Sequence, residues 1–219
     1  MTDTSSPAFG HIRIPVNFVA GSQSAKTSAV CTARIGDKEM VIDLITGAFQ
    51  SDPVWSWVFP RKADQRRYWE MFIKGAIRYP HTYHTADYEA VSVWIPPSQS
   101  AFLPEDSENF SAIIESMTGP RTEEILTFLQ KFDDCHPRER PHYYLGLLAV
   151  KDGHRGKGIG IELLKENLAR FDSLGVPAYL ESSNKSNNRK YEALGFLPVV
   201  EFTTYSGGPA VTGMWRDPK

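Results

Sequence analysis

Cysteine is scarce in this chain, which has only Cys31 and Cys135 among its 219 residues. The two lie far apart and fit no zinc-binding or redox spacing, so neither a disulfide framework nor a thiolate metal site organises the fold. A chain of this length buries a core large enough to be stable without such staples. We interpret both cysteines as free thiols in a reducing compartment and expect a cytoplasmic protein.

Long apolar runs are also absent. No stretch approaches the ~18 residues that a membrane-spanning helix needs, and the N-terminal sequence has no basic segment followed by an apolar run, as a secretory signal would have. The net charge of −2 does not suggest the basic surface that nucleic acids require. We therefore expect no membrane partner and no nucleic-acid partner.

The small net charge hides an uneven distribution. Between residues 97 and 140 there are nine acidic and four basic residues. A local acidic field favours a cationic ligand, whereas helices that expose charged faces to solvent produce the same pattern. We favour the solvated faces, and the cationic ligand stays open at this point.

Apolar periodicity predicts a single α+β domain. Residues 1–30 are rich in small residues without a clear period, which is typical of an N-terminal arm, and residues 31–219 then form one domain. Spacings of three and four predict helices, and short apolar runs between turn residues predict strands. The helices cover about 37–49, 63–79, 107–117, 121–132, 161–174 and 187–195, and the strands lie within 81–97, 143–150, 177–183, 196–205 and 210–216. This order predicts an α/β-type mixed sheet flanked by helices.

The segment HRGKGIG, residues 154–160, lies between an apolar run and a helical pattern, where a phosphate-binding loop is expected. The triphosphate-binding motif does not fit, because Gly158 stands where a Ser or Thr has to reach magnesium. The dinucleotide-binding motif does not fit either, because its third glycine would fall on Ile161 or Leu163.

The remaining pattern is R-x-x-G-x-G, formed by Arg155, Gly158 and Gly160. Backbone N–H groups at a helix N-terminus carry the positive end of the helix dipole and bind anions, and glycines let a phosphate approach the backbone closely. A glycine turn that merely begins a helix has the same sequence. The loop by itself therefore leaves both interpretations open.

A second motif follows the loop, after one helix and one strand. It reads N-x-x-N-x-x-x-Y-E-x-L-G-F and is formed by Asn184, Asn187, Tyr191, Glu192, Leu194, Gly195 and Phe196. Together with the glycine loop, in this order and spacing, it strongly resembles the GNAT superfamily of acetyl-CoA-dependent N-acetyltransferases. AFQSDPVWSWVFP and AVSVWIPP resemble the branch that includes puromycin N-acetyltransferase. The likeness covers about residue 32 onward and is strongest from 141 to 200.

The resemblance implies a GNAT-like fold, a mostly antiparallel sheet in which the strand before the loop and the next strand form a splayed parallel pair. Acetyl-CoA would lie in the resulting wedge, with its pantetheine arm on the backbone of Leu148, Ala149 and Val150. Asn184 and Asn187 would bind the pantetheine or cap the last helix, as Asn often does. The pyrophosphate would lie on the loop, at Arg155, Gly156, Lys157, Gly158, Ile159 and Gly160.

The resemblance also implies catalytic groups. A backbone N–H near Leu148 would stabilise the oxyanion, and Tyr191 matches the general acid. A tyrosine with a pKa of ~10 stays protonated at neutral pH and can donate to a thiolate whose acid has a pKa of ~8.5; a ring that only packs under the helix is the alternative. Lys190 stands where the family usually has Phe or Leu, and would either lower the pKa of Tyr191 or point to solvent.

The general base is marked less clearly. Tyr144 occupies the place where some relatives carry Glu or His. The best remaining carboxylate is Glu181, because a charged side chain on an inner strand is expected to line a cavity. Deprotonation by water, or capture of a neutral amine, is an equal alternative. We expect Tyr144, Trp55 and Glu181 to contact the substrate.

These features predict an enzyme that transfers an acetyl group from acetyl-CoA to the amine of a small molecule, such as an antibiotic or another xenobiotic, by direct attack in a ternary complex. The alternatives are a protein lysine or N-terminal acetyltransferase and a non-catalytic acyl-CoA sensor, which would not need Tyr191. We expect no metal, because His81 and His84 would point to opposite faces of a strand. Both a monomer and a homodimer stay open.

Overall fold

The computed structural model describes residues 29–204 and 208–219. Seven strands form one sheet in the order β1-β2-β3-β4-β5-β7-β6. All neighbouring strands are antiparallel except β4 and β5, which run parallel. The strands are β1 (Val30–Thr32), β2 (Thr82–Thr85), β3 (Ala90–Ile95), β4 (Tyr143–Val150), β5 (Ala178–Ser182), β6 (Leu197–Thr203) and β7 (Ala210–Arg216). The predicted α+β fold with one parallel pair in a mixed sheet is confirmed.

Eight α-helices connect these strands within the described residues. They are α1 (Lys38–Phe49), α2 (Trp55–Val58), α3 (Lys62–Ala76), α4 (Pro104–Glu108), α5 (Phe110–Thr118), α6 (Thr122–Cys135), α7 (Ile159–Ser173) and α8 (Asn188–Glu192). None of the helices described is both long and apolar enough to cross a membrane.

Two layers of helices cover the sheet. Helix α7 packs on one face against Leu145, Trp94 and their neighbours, while α1, α3, α5 and α6 pack on the other face. Trp94 donates its indole N–H to Asn167 of α7 at 2.9 Å, which satisfies a polar group in the middle of that apolar layer. The sheet therefore separates two apolar clusters, one under each layer of helices.

A bulge in β4 separates two halves of this strand. The register against β3 shifts between Val93 and Trp94, so that Leu147 and Leu145 are paired while Gly146 between them is not. A Cβ atom on Gly146 would lie 2.5 Å from the tip of the Phe72 ring, so only glycine fits under this aromatic side chain. The bulge thus bends β4 at the residue where Phe72 of α3 packs closely against the strand backbone.

Several predicted boundaries differ from the structure. Helix α3 ends at Ala76, three residues before the predicted end, because the chain turns into a short loop ahead of Pro80. The interval predicted as a break between the first two helices contains the one-turn helix α2. The predicted arm lies outside the described residues except for Ala29 and Val30, and Val30 already belongs to β1.

Candidate active site

The glycine loop connects β4 to α7 and leaves its amides unused. Gly153, Gly156 and Gly158 all have φ near +80°, a conformation that other residues rarely adopt. Within the described residues, the N–H groups of 155–160 donate to no protein acceptor, whereas the amides on either side, of His154 and Ile161, are bonded. Six adjacent free donors at the start of a 15-residue helix form a strong anion-binding geometry.

Gly160 fixes how closely α7 approaches the sheet. A Cβ atom there would lie 2.8 Å from Cγ2 of Val150. The first turn of α7 therefore sits directly against the last residue of β4, and the loop amides are held next to the end of that strand.

The two cations of the loop behave differently. Arg155 donates to the carbonyl oxygen of Ala48 at the end of α1 at 2.6 Å, and its Nε lies 3.2 Å from Asp152. This guanidinium thus ties the loop to α1. Lys157 is exposed beside the free amides, where its charge adds to the attraction for an anion.

Strands β4 and β5 separate where the sequence resemblance places the wedge. They pair only from Tyr143 to Leu145, opposite Ala178 to Leu180. Beyond that point 148–150 pair with β3 alone, and β5 pairs with β7. In the described part of the chain, one backbone edge of β4 is therefore free along Leu148, Ala149 and Val150.

Tyr191 of α8 lies at this wedge. Its ring packs against Phe196 at 6.2 Å between centroids and joins the layer that contains Leu148 and Val150. Burial, and secondly the charge of Asp52, raise the pKa of the Tyr191 hydroxyl to about 12. The raised pKa keeps the proton on the hydroxyl. The alternative in which Lys190 lowers this pKa is wrong, because Lys190 extends to Asn187 at 2.9 Å and is exposed.

Asp52 links the two sides of the wedge. One carboxylate oxygen caps the turn before α2 by accepting from the amides of Val54 and Trp55 at 3.0 and 3.1 Å. The other accepts from the hydroxyl of Ser183, just after β5, at 2.6 Å. Burial raises the pKa of Asp52, although the Ser183 hydrogen bond opposes this shift. The sequence analysis did not identify Asp52, which lies inside the DPVWSWVFP segment.

The two asparagines of the second motif make local contacts. Asn184 accepts from the backbone and hydroxyl of Ser186 and so caps the short turn of Lys185–Asn187. Asn187 accepts from Lys190. Of the two roles predicted for these residues, Asn184 therefore acts as a cap. Pantetheine binding stays a prediction for both asparagines.

A cavity of 1090 Å³ adjoins the wedge on the side covered by α3 and α6. The three residues predicted to contact substrate, Trp55, Tyr144 and Glu181, all line it, although they come from different elements. Further aromatic side chains form much of the wall: Tyr68, Trp69, Phe72, Phe102, Phe110 and Phe132. The structure thus gathers residues that span more than 120 positions of sequence into one mostly apolar chamber.

Glu181 is the deeply buried carboxylate of this chamber. Its side chain is 2% exposed, and Oε2 accepts from the Tyr144 hydroxyl at 2.6 Å. Burial, and secondly the charge of Glu181, raise the pKa values of Tyr144, Tyr68 and Tyr179, so all three hydroxyls stay neutral. The Glu181 carboxylate therefore lies among neutral phenols and away from bulk water. A bound cation would compensate for the hydration that this carboxylate lost on burial.

Two histidines of the chamber were also missed by the sequence analysis. His136 lies at the end of α6 with its Nδ1 3.7 Å from Oε1 of Glu181, and its Nε2 lies 3.1 Å from Nε2 of His142. They occur in HPRERPH, a polar connection without periodicity, so no pattern pointed to them. Only the packing of α6 against β4 and β5 brings them to the carboxylate.

The acidic side chains of segment 97–140 are mostly exposed, and four of the nine form ion pairs. Asp133 pairs with Arg138, Glu124 with Arg121, and Glu105 and the partly buried Asp106 with Lys74. No cluster of three or more potential metal ligands exists among the residues that the structure describes.

Comparison with known proteins bears on these features. Residues 65–196 match the family model described as Acetyltransferase (GNAT) family. Similar solved structures include a histone acetyltransferase HPA2 and related acetyltransferase from Corynebacterium glutamicum, with 22% identity and a TM-score of 0.64 over 88% of this chain and 97% of that chain. Another is a polyamine N-acetyltransferase from Drosophila melanogaster, with 14% identity and a TM-score of 0.58 over 86% of this chain and 99% of that chain. A third is arylalkylamine N-acetyltransferase 2 from Aedes aegypti, with 12% identity and a TM-score of 0.59 over 87% of this chain and 99% of that chain. At these identities the structural likeness shows the shared fold.

Proposed function

The chain belongs to the GNAT family of acetyltransferases, and we propose that it transfers the acetyl group of acetyl-CoA to the amine of a small molecule. The observation that carries this proposal is the juxtaposition of a wedge with free backbone donors and a chamber with one buried carboxylate. The first suits a phosphate-bearing thioester and the second suits a cationic amine. Acetyl transfer between them requires no further cofactor.

The cofactor side fits acetyl-CoA in two respects. The free amides of 155–160, with Lys157 beside them, suit the pyrophosphate. The free edge of β4 along 148–150 offers hydrogen-bonding groups to the amides of a pantetheine arm. The arm is amide-rich and extended, so it can add to the sheet in the manner of a strand.

The residues of the wedge supply the remaining chemistry. In this proposal the N–H near Leu148 stabilises the oxyanion as the amine attacks the thioester carbonyl. Tyr191 donates a hydrogen bond to the departing thiolate. With its pKa raised to about 12, complete proton transfer to a thiolate whose acid has a pKa of ~8.5 is uphill. We therefore assign Tyr191 the stabilisation of the thiolate, with solvent supplying the proton finally bound to sulfur.

The chamber favours a monoamine with a bulky apolar body. Aromatic side chains form much of its wall, and its acidic lining residues are Glu181, Asp133 and Glu139. Asp133 is paired with Arg138 at 2.7 Å, and Glu139 is exposed. A polyamine would present several cations to a wall with a single unpaired buried carboxylate, whereas one ammonium group on an aromatic or aliphatic body matches both parts of the lining.

Protein acetylation is the second candidate function. The structures similar to this chain include a ribosomal-protein-S18-alanine N-acetyltransferase, and a lysine side chain has the single ammonium group that suits one buried carboxylate. The apolar wall around Glu181 favours the small molecule, because a lysine side chain would leave much of that wall without a partner. An antibiotic of the puromycin type has the required amine and aromatic body, and this finer assignment rests on the sequence resemblance.

A thiol-release assay with acetyl-CoA tests the proposal. The acceptor panel contains arylalkyl monoamines, alkyl monoamines, puromycin, a polyamine, and peptides with a free lysine or N-terminus. We expect the highest kcat/KM for monoamines with an aromatic body. A preference for peptides would establish the second function instead, and failure to bind acetyl-CoA at millimolar concentration would overturn both.

A further inference from the structure

The hydrogen bond between His142 and Arg140 fixes one tautomer. Nδ1 of His142 lies 2.8 Å from the carbonyl oxygen of Arg140. A carbonyl oxygen only accepts, so Nδ1 carries the hydrogen. Burial lowers the pKa of His142, which is 8% exposed, and so favours its neutral ring. In that ring Nε2 has a lone pair and accepts.

This tautomer determines the next one. Nε2 of His136 lies 3.1 Å from Nε2 of His142, so His136 has to donate across this contact. A neutral His136 then carries its lone pair on Nδ1. That atom lies 3.7 Å from Oε1 of Glu181.

With His136 in this neutral form, two acceptors face each other 3.7 Å apart. Oε2 of Glu181 is satisfied by the Tyr144 hydroxyl, whereas Oε1 is buried and makes no hydrogen bond within 3.5 Å among the described residues. Leaving such an atom unpaired costs free energy. The Tyr179 hydroxyl, which also lacks a partner among these residues, is the protein donor that acts on the same carboxylate, and it adds no charge in the gap because it stays neutral. Both Glu181 and His136 line the chamber, so a ligand can reach the gap between them.

We propose that this gap is a clamp for the substrate's ammonium group, with His136 as the base that takes its proton. An ammonium nitrogen about 2.8 Å from each acceptor spans the 3.7 Å between them and donates one hydrogen to each. Glu181 holds the positive charge, and the lone pair of His136 points at a hydrogen of the same group. His142 is a positioning residue that keeps this lone pair on Nδ1. This inference rests on the proposed function.

The proton transfer balances within the cluster. One N–H bond of the ammonium breaks and its proton binds Nδ1 of His136, while the electron pair stays on the amine nitrogen. That pair then attacks the thioester carbonyl, and as the C–S bond breaks the nitrogen of the tetrahedral intermediate releases its second proton to solvent, which balances the proton that solvent gives to the thiolate. The imidazolium formed donates to Glu181 through Nδ1 and to His142 through Nε2, so its charge is stabilised at both nitrogens. The proton then passes from His136 to solvent.

The ionisable groups around His136 support this assignment. They are Asp133 and Cys135 of α6, Arg138, Glu139, Arg140 and His142 of the following segment, Tyr68 of α3, Tyr144 of β4, and Tyr179 and Glu181 of β5. The rings of Tyr144 and Tyr179 each lie 5.0 Å from that of His136, nearly perpendicular to it. Asp133 is paired with Arg138, and Glu139 is exposed. Glu181, whose Oε1 lies 3.7 Å from Nδ1, is therefore the buried carboxylate beside His136.

Nitrogen-15 NMR of the histidine rings tests the clamp independently of turnover. The full chain is labelled at histidine, and His136→Gln and His142→Gln assign the two rings. We expect, at neutral pH, a neutral His142 with hydrogen on Nδ1 and a neutral His136 with hydrogen on Nε2. In His142→Gln, the tautomer of His136 becomes mixed. Hydrogen on Nδ1 of His136 in the wild-type protein, as the other tautomer or as an imidazolium, would contradict the proposal.

Steady-state kinetics with the best monoamine test the role in catalysis. We expect His136→Gln to lower kcat about 100-fold near pH 7. This loss shrinks as the pH approaches the pKa of the substrate's own amine, because the substrate then enters neutral. Glu181→Gln mainly raises KM, by about tenfold, and His142→Gln lowers kcat by about tenfold because the lone pair on Nδ1 is no longer enforced.

His81→Gln provides the matched control, since His81 contacts Tyr83 and Tyr143 on the other side of the sheet; it should leave kcat and KM unchanged. An unchanged kcat in His136→Gln, or an equal loss at every pH, would exclude His136 as the base. If no amine reacts with the wild-type enzyme, the proposed function fails, whereas the ring tautomers still decide whether the clamp exists. If a variant does not fold, the wild-type spectrum decides in the same way.

Discussion

The wedge and the chamber of this enzyme are built from different material. The wedge uses backbone: the free amides of 155–160, the unpaired edge of β4, and glycines whose missing side chains permit both. The chamber uses side chains, with aromatic rings from α2, α3 and α6 around Glu181. Asp52, Ser183 and Tyr191 lie together at the wedge, and Tyr144, Gly146 and Glu181 line the chamber near the point where β4 and β5 separate.

Because of this difference, the two regions should tolerate different amino-acid substitutions. Any thioester of coenzyme A presents the same phosphate and amide groups, so a backbone cradle serves the whole family and depends on conformation alone. The acceptor differs between family members, and side chains can be exchanged without altering the strand and loop that we propose hold the cofactor. Perturbing one region should therefore leave the other nearly intact, and the following predictions test that separation in order of decreasing effect.

Tyr191→Phe should have the largest effect because it removes the hydroxyl that we propose stabilises the departing thiolate at the wedge. We expect kcat to fall about 100-fold while the Kd for acetyl-CoA and the KM for the amine change less than threefold, since the hydroxyl acts on the departing thiolate. With its pKa raised to about 12, Tyr191 should cause no loss of wild-type activity up to about pH 10. A wild-type rate in the variant would remove Tyr191 from the mechanism.

Gly146→Ala should disturb the chamber. The added Cβ would lie 2.5 Å from the Phe72 ring, so we expect about 1–3 kcal/mol lower stability in denaturant unfolding and a changed amine preference. Acetyl-CoA binding should stay within threefold of wild type. The double variant with Phe72→Leu provides the control, because the shorter side chain relieves the contact. Additive losses in the double variant would show that this contact is not the cause.

Gly160→Ala should disturb the wedge. Its Cβ would lie 2.8 Å from Cγ2 of Val150, and a displaced first turn of α7 should weaken acetyl-CoA binding about tenfold by calorimetry, which corresponds to about 1.4 kcal/mol. Val150→Ala in the same chain should restore most of the affinity, since only the side chain is removed. A loss confined to amine KM would contradict the separation of the two regions.

Asp172→Asn should have the smallest effect, because it weakens only the ion pair that joins the C-terminal end of α7 to Arg216 of β7. Both oxygens of Asp172 accept from the nearly buried Arg216 at 2.7 Å, and these hydrogen bonds lower the pKa of Asp172. Because the pKa of Asp172 is lower in the folded protein, its carboxylate stabilises the fold fully above the unfolded pKa of about 3.9. This stabilisation is lost as the pH falls through the pKa of the folded protein. We expect the variant to unfold about 1 kcal/mol more easily at pH 7, with the difference vanishing near pH 2.

The difference between wedge and chamber also explains which site residues could be predicted from the sequence. The loop, the strand before it and Tyr191 follow one another within 50 residues, and their spacing records a backbone conformation directly. Glu181 was identified because a charge between apolar strand residues is costly unless it lines a cavity. His136 and Asp52 carry no such signal, since histidine and aspartate in polar connections are ordinary.

The order of helices and strands, the glycines and the motif tyrosine specify the fold and the cofactor side, because backbone geometry depends on residues that are neighbours in sequence. The chamber depends on which side chains meet across the sheet. Its decisive contact is the 3.7 Å approach of His136 to Glu181, which joins the end of a helix to a strand 45 positions further along the chain. Such a contact arises only when α6 packs on the sheet, and its chemistry depends on a tautomer fixed by a third residue, His142.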